Sequence, residues 1–189
     1  MRLARLRLAM RCCLRIVPVL LILLTVHPKL HGASKPHPFT PTLAQLTRRS
    51  GYIFAGTVVH VGRAAKQAAN EVDTVEIQFR VDQAVLGVHA KQILYVREWM
   101  GLWNSGERYQ VGERVLLFLY PSSKLGLTSP VAGAFGRFSL NASGQILIGR
   151  TRLSALRGGL PKRAPGRSEV VAVAGRDFVR AIRRAGAKR

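Results

Sequence analysis

Cysteine is nearly absent from this chain of 189 residues: Cys12 and Cys13 are the only two, adjacent and near the N-terminus. A disulfide-dense miniprotein is thereby excluded. Acid is scarce as well, with 9 Asp and Glu against 30 Lys and Arg, a formal net charge of +21 with histidines neutral. Proline (9) and glycine (18) are too few for a collagen-like repeat, and 48% hydrophobic against 21% charged residues excludes a disordered chain. The length is that of one domain with room for a packed core. No internal repeat is visible.

The first segment reads as an address. Arg2, Arg5, Arg7, Arg11 and Arg15 precede Ile16 to Pro28, thirteen residues without a formal charge that contain Leu20, Leu21, Ile22, Leu23 and Leu24. A positive stretch followed by a short apolar one is the pattern of a secretory signal. Crossing a bilayer takes about 20 apolar residues, and this run is shorter and interrupted by Pro18. Small residues at Gly32, Ala33 and Ser34 suit cleavage after Ser34, giving domains at 1–34 (signal), 35–149 and 150–189; an uncleaved signal anchor is the alternative. Cleavage removes both cysteines and leaves 155 residues with 24 basic and 9 acidic side chains, a net of +15 and no possible disulfide. A domain of that size folds without one. The expected location is secreted or periplasmic, or membrane-anchored if the segment is retained.

Pro36, Pro38 and Pro41 mark an extended lead-in, and Thr42 is placed to cap a short helix carrying Leu43 and Leu46 and ending near Arg48 and Arg49. Strand signals come next. Tyr52 to Val61 is rich in β-branched and aromatic residues, with Gly56 as a bulge point. Val75, Ile77, Phe79 and Val81 alternate with Glu76, Gln78, Arg80 and Asp82, one face for a core and one for solvent. Ile93, Tyr95 and Arg97 against Leu94, Val96 and Glu98 form a third strand, and the apolar run Val115 to Tyr120 a central one buried on both faces. Phe135 to Leu140 and Gln145 to Ile148 flank Asn141-Ala142-Ser143-Gly144, turn chemistry for a hairpin. The same Asn-Ala-Ser is a glycosylation sequon, subordinate to the turn. From residue 150 on, 12 basic residues meet 2 acids. Leu153 to Pro165 reads as a linker, and Val171, Ala174, Phe178, Ala181 and Ile182 recur at helical spacing, with Arg176, Arg180, Arg183 and Arg184 on the other face.

Catalytic and metal-binding patterns are missing from the linear sequence. His37, His60 and His89 stand in three separate segments, neither G-x-S-x-G nor S-x-x-K occurs, and no P-loop lysine comes after Gly133-Ala134-Phe135-Gly136. Glu71, Asp73, Glu76, Asp82 and Glu98 lie on or beside strands and are expected on a solvated face. No cofactor, metal or enzymatic activity is expected. The unusual segment is Arg97-Glu98-Trp99-Met100-Gly101-Leu102-Trp103, followed by Arg108 and Tyr109, which holds both tryptophans. Aromatic rings beside guanidinium groups suit ligand contact, with Arg97, Trp99, Trp103 and Arg108 as the contacts. The preferred reading of the same rings is a plug that completes the core at one end of a barrel. The basic tail is a solvated face, a contact for anionic lipid or polysaccharide through Arg176, Arg180, Arg183 and Arg184, or, less favoured, a nucleic-acid contact.

Tyr52-Ile53-Phe54-Ala55-Gly56-Thr57-Val58-Val59, the long alternating strand ending Val85-Leu86-Gly87, and Tyr109-Gln110-Val111-Gly112-Glu113-Arg114-Val115-Leu116-Leu117-Phe118-Leu119 together resemble the OB-fold barrel of the tissue-inhibitor-of-metalloproteinases and netrin-like superfamily, in its exported bacterial form. The likeness spans residues 42 to 149. It implies a small OB-like barrel of five to six strands, mainly β, with a short leading helix and a C-terminal amphipathic helix. Animal inhibitors of that superfamily chelate a protease zinc through an N-terminal cysteine and carry disulfides; the cleaved chain here has neither, so that mechanism is not implied. The expected protein is an exported, non-enzymatic binding domain for an unidentified protein or envelope component, or a membrane-tethered envelope protein whose basic helix touches anionic lipid or polysaccharide.

Overall fold

The computed structural model describes residues 40–64, 72–105, 108–156 and 169–187. The arginine-rich start, the 1–34 boundary, both cysteines, Glu71, and most of the linker after Leu153 lie outside them. Helix α1 (Leu43–Arg49) begins where Thr42 forms a reciprocal cap: its Oγ1 accepts from Gln45 N at 3.2 Å, and Gln45 Oε1 accepts from Thr42 N at 2.8 Å. Strands β1 (Tyr52–Arg63), β2 (Thr74–Leu86) and β3 (Ile93–Trp99) form an antiparallel meander. A short helix α2 (Met100–Ser105) comes after it. Then β4 (Arg114–Leu119) returns to the free side of β1 and β5 (Arg137–Ser139) pairs with β4, giving the order β3-β2-β1-β4-β5.

The protein is mainly β, but the sheet does not close into a barrel. Its outer strands β3 and β5 are not paired to each other, and among the described residues β3 bridges to the chain after β4 at an isolated parallel pair, Arg97 and Leu127. The physical reason lies in the connection from Tyr120 to Gly136, which forms turns and a 3-10 segment, Gly133–Gly136, instead of a closing strand. A sixth strand exists but belongs elsewhere: β6 (Gln145–Gly149) pairs with β7 (Val170–Ala174) in a separate two-stranded sheet. The Asn141–Gly144 turn is present, with Asn141 Oδ1 accepting from Gln145 N at 2.9 Å. It joins strands of different sheets, and the expected hairpin reduces to one bridge, Leu140 to Ile146.

The bulge at Gly56 is real. Register shifts between Ala55 and Gly56, and a Cβ there would sit 2.7 Å from Arg80 O. Residues 53–56 of β1 and 115–119 of β4 are buried on both faces, as the apolar run from Val115 required. Phe54, Val58, Val115, Leu117 and Leu119 join Val75, Ile77, Phe79, Val81 and Val96 of β2 and β3 in one core. Ile53, Ala55, Leu116 and Phe118 face a second core built with α1, β6, β7 and the C-terminal helix.

The C-terminal segment differs from the sequence expectation. A one-turn-and-a-half helix α3 (Arg150–Ala155) follows β6, and the last helix is α4 (Gly175–Ala187). Val171 and Ala174 are in β7, not in that helix, which starts at Gly175. Five β-branched or small apolar residues, Val170 to Ala174, find a strand partner in β6, and that tertiary pairing overrides the helical spacing. Helix α4 is no appendage: Phe178, Val179, Ala181 and Ile182 are buried, Phe178 meets Phe138 at 5.1 Å between ring centroids, and α4 packs against α1. Phe178→Ala is therefore expected to lower the unfolding free energy by about 3–5 kcal/mol, whereas Arg180→Ala should change it by less than about 0.5 kcal/mol. Denaturant unfolding of both variants measures this, and a loss of under about 1 kcal/mol for Phe178→Ala would remove α4 from the core.

Candidate functional site

Alternation along β3 sorts its residues into two sets. Val96 and Glu98 are buried and Leu94 is half-buried against the first core; Ile93, Tyr95 and Trp99 are exposed, with Arg97 half-buried between the two rings. The four candidate contacts are therefore divided. Arg97 and Trp99 stand on the outer face, in register with Glu76 and Thr74 of β2, and Arg97 Nη2 donates to Thr74 Oγ1 at 3.3 Å. Trp99 is 51% exposed and its ring lies over Gly101, where a Cβ would come within 2.4 Å of the indole. Trp103 goes the other way. It is half-buried, packs on Tyr109 at 5.9 Å, and donates its Nε1–H to Glu98 Oε2 at 3.0 Å. Trp103 thus packs against the core, and Trp99 is the exposed ring. Arg108 is exposed and its Nε–H donates to the carbonyl of Trp103 at 3.5 Å.

Glu98 overturns the expectation of a solvated carboxylate. It is 4% exposed, in register opposite buried Val75, and both of its oxygens are engaged: Tyr109 Oη donates to Oε1 at 3.4 Å beside the Trp103 bond. Behind Tyr109 stands Arg137, its guanidinium 4.3 Å from the ring centroid and paired with Glu113 at 2.7 Å. Burial pushes the Glu98 carboxyl above the usual carboxylate range, opposed by the Trp103 and Tyr109 hydrogen bonds and the Arg137 charge. Burial, with Glu98 adding to it, pushes the Tyr109 phenol well above its ordinary value and keeps it a donor. The cluster holds a loop against the sheet.

Two further features were outside the sequence-based candidates. Tyr95, 62% exposed, and Ile93, 44% exposed, extend the outer face beyond Trp99. A shallow groove of about 450 Å³ lies between the two sheets, with Asp82, Gln83, Arg114 and Arg176 among its lining residues. Arg180, Arg183 and Arg184 lie on α4 with Arg176, where Arg180 pairs with Asp177 at 3.7 Å, and exposed Arg48 and Arg49 end the neighbouring α1. Among the described residues no cluster of three His, Cys, Asp or Glu could hold a metal, and no helix is long and apolar enough to cross a membrane. No family model, no curated protein and no solved structure matches the chain.

The folded state holds the Glu98 proton more tightly than the unfolded chain does, so the stability this group contributes is greatest at low pH. It declines as pH rises from the ordinary carboxylate range through the elevated native value. In Glu98→Gln the amide oxygen still accepts from Trp103 and the titration is gone. Urea unfolding from about pH 4 to about pH 7 should show the wild type losing stability relative to Glu98→Gln as pH rises; parallel profiles would contradict the burial of this carboxyl.

Proposed function

We propose that the chain is a non-enzymatic binding module that engages its ligand through the outer face of β3. The observation that carries this reading is the exposed row Ile93, Tyr95 and Trp99, with Arg97 among them, on an outer strand of the sheet. Large exposed apolar side chains gathered on one strand face mark an interaction surface, whereas singly scattered ones do not. Arg97 and Trp99 keep the contact role expected of them; Trp103 serves the fold, and Arg108 stands at the margin. The reading of the sheet as an open OB-like form of the netrin-like superfamily belongs to the same proposal. It is supported by the β1-β2-β3 meander, the return of β4 beside β1, and the parallel contact of Arg97 with Leu127. Export through residues 1–34 is supported by the basic and apolar pattern of that segment.

A second reading places the contact on α4. Its arginines at 176, 180, 183 and 184 lie on the side of the helix away from the apolar residues, which the core uses. Such a stripe attracts anionic headgroups or polysaccharide by charge, without insertion.

One experiment separates the two. A photoreactive phenylalanine analogue replaces Tyr95, Arg183, or, as a control on β6, the exposed Leu147, and the full-length protein is irradiated in the cells that make it. Adducts from position 95 and none from 147 are expected. Adducts from 183 alone would move the contact to α4, and equal labelling at all three would contradict a defined face.

A further inference from the structure

The backbone of β3 has an open edge beside that exposed row. Paired strands alternate in the direction of their peptide groups, so every second residue faces one neighbour. Gln92 O accepts from Val81 N at 2.9 Å on the β2 side, and Arg97 O accepts from Thr128 N at 2.9 Å on the opposite side. The odd-numbered residues of β3 therefore direct their N–H and C=O away from β2. At Arg97 that edge is covered by Leu127 and Thr128. The chain then turns away, with Gly126 N donating to Ser123 O at 2.9 Å, and Ile93 and Tyr95 have no backbone partner on that side among the described residues. Their four polar groups face outward. The turn leaves Leu125, 70% exposed, at the corner where the cover ends.

We propose that this edge accepts an extended acidic and apolar segment of another protein as an added strand, alongside Ile93 and Tyr95. The inference rests on the binding-face reading and names its partner. An added strand would take up to about four backbone hydrogen bonds at these two residues, and alternate side chains would lie on Ile93 and Tyr95. Charge selects the partner. Lys91 is exposed just before the edge, and Arg80 stands exposed opposite Ile93. Arg80 pairs with Asp82 on its own strand at 3.5 Å, which leaves most of its guanidinium in solvent. A second copy fits poorly, because pairing β3 with β3 would bring these cations together on two strongly basic chains. A partner strand bearing Glu or Asp removes that repulsion.

The probe is a fluorescein-labelled peptide alternating glutamate and valine, about eight residues long, titrated into the full-length protein. Bound peptide should slow hydrogen exchange at the amides of Ile93 and Tyr95, a result that needs no variant. Proline is tolerated on a strand edge where its missing N–H would have faced outward, so Ile93→Pro should keep cooperative unfolding and bind about tenfold more weakly, against about twofold for Ile93→Ala. Equal loss in Ile93→Pro and Ile93→Ala, with Tyr95→Ser also weakened, would overturn strand addition and leave the face as a side-chain surface. If none of the three variants alters binding, the binding-face reading itself fails. Equal affinity for the peptide with lysine in place of glutamate, absence of peptide binding, protection of both amides in the free protein, or a dimer abolished by Ile93→Pro would each overturn the assignment.

Discussion

A buried carboxylate sets the arrangement around the edge strand. Glu98 lies on the inner face of β3, and an ionisable group in that position is tolerable only with hydrogen-bond donors on its oxygens. Trp103 and Tyr109 supply them, and Arg137 stands behind Tyr109 with Glu113 as its partner. These bonds hold the loop that leaves β3, because turning Trp103 outward would leave Glu98 Oε2 without its donor. Trp99, one residue beyond Glu98 on the strand, then has to face solvent. The division between a structural ring and an exposed ring thus comes from strand alternation and one buried acid.

The remainder of the fold backs that strand with two packed cores. Residues 53–56 of β1 and 115–119 of β4 are buried on both faces, so the sheet is clamped between the aromatic core under β2 and β3 and the helical core under β6, β7 and α4. Arg152 extends the second core by laying its guanidinium 3.9 Å from the Phe138 ring centroid. Because the connection after β4 turns away at Ser123–Gly126 instead of running on as a strand, the sheet stays open at β3. The absence of closure and the presence of an edge are one fact.

Much of this was legible in the residues. Thr42 announces the cap of α1, Gly56 the bulge, Val75 to Val81 the amphipathic strand, and the run from Val115 a strand with two buried faces. The C-terminal part was harder, since Val171 and Ala174 share the helical spacing of Phe178, Ala181 and Ile182 and yet lie in a strand, where β6 offers the partner. Glu98 left a signal: it shares parity with Leu94 and Val96, so a carboxylate sits in phase with the core face. Composition argued for a solvated acid, and only the donors from α2 and Tyr109 make the buried place tolerable. The exposure of Tyr95 left less trace, because an aromatic residue on a strand is usually read as core, and whether it is depends on what covers the neighbouring face.

The most direct test uses the two indole N–H signals of the protein, observed by NMR during hydrogen exchange at neutral pH. Slow exchange is expected for Trp103, bonded to buried Glu98, and fast exchange for Trp99 on the outer face, assigned by comparison with Trp99→Phe. Fast exchange at both would mean that Glu98 holds no ring, and slow exchange at both would bury the face on which the binding proposal stands.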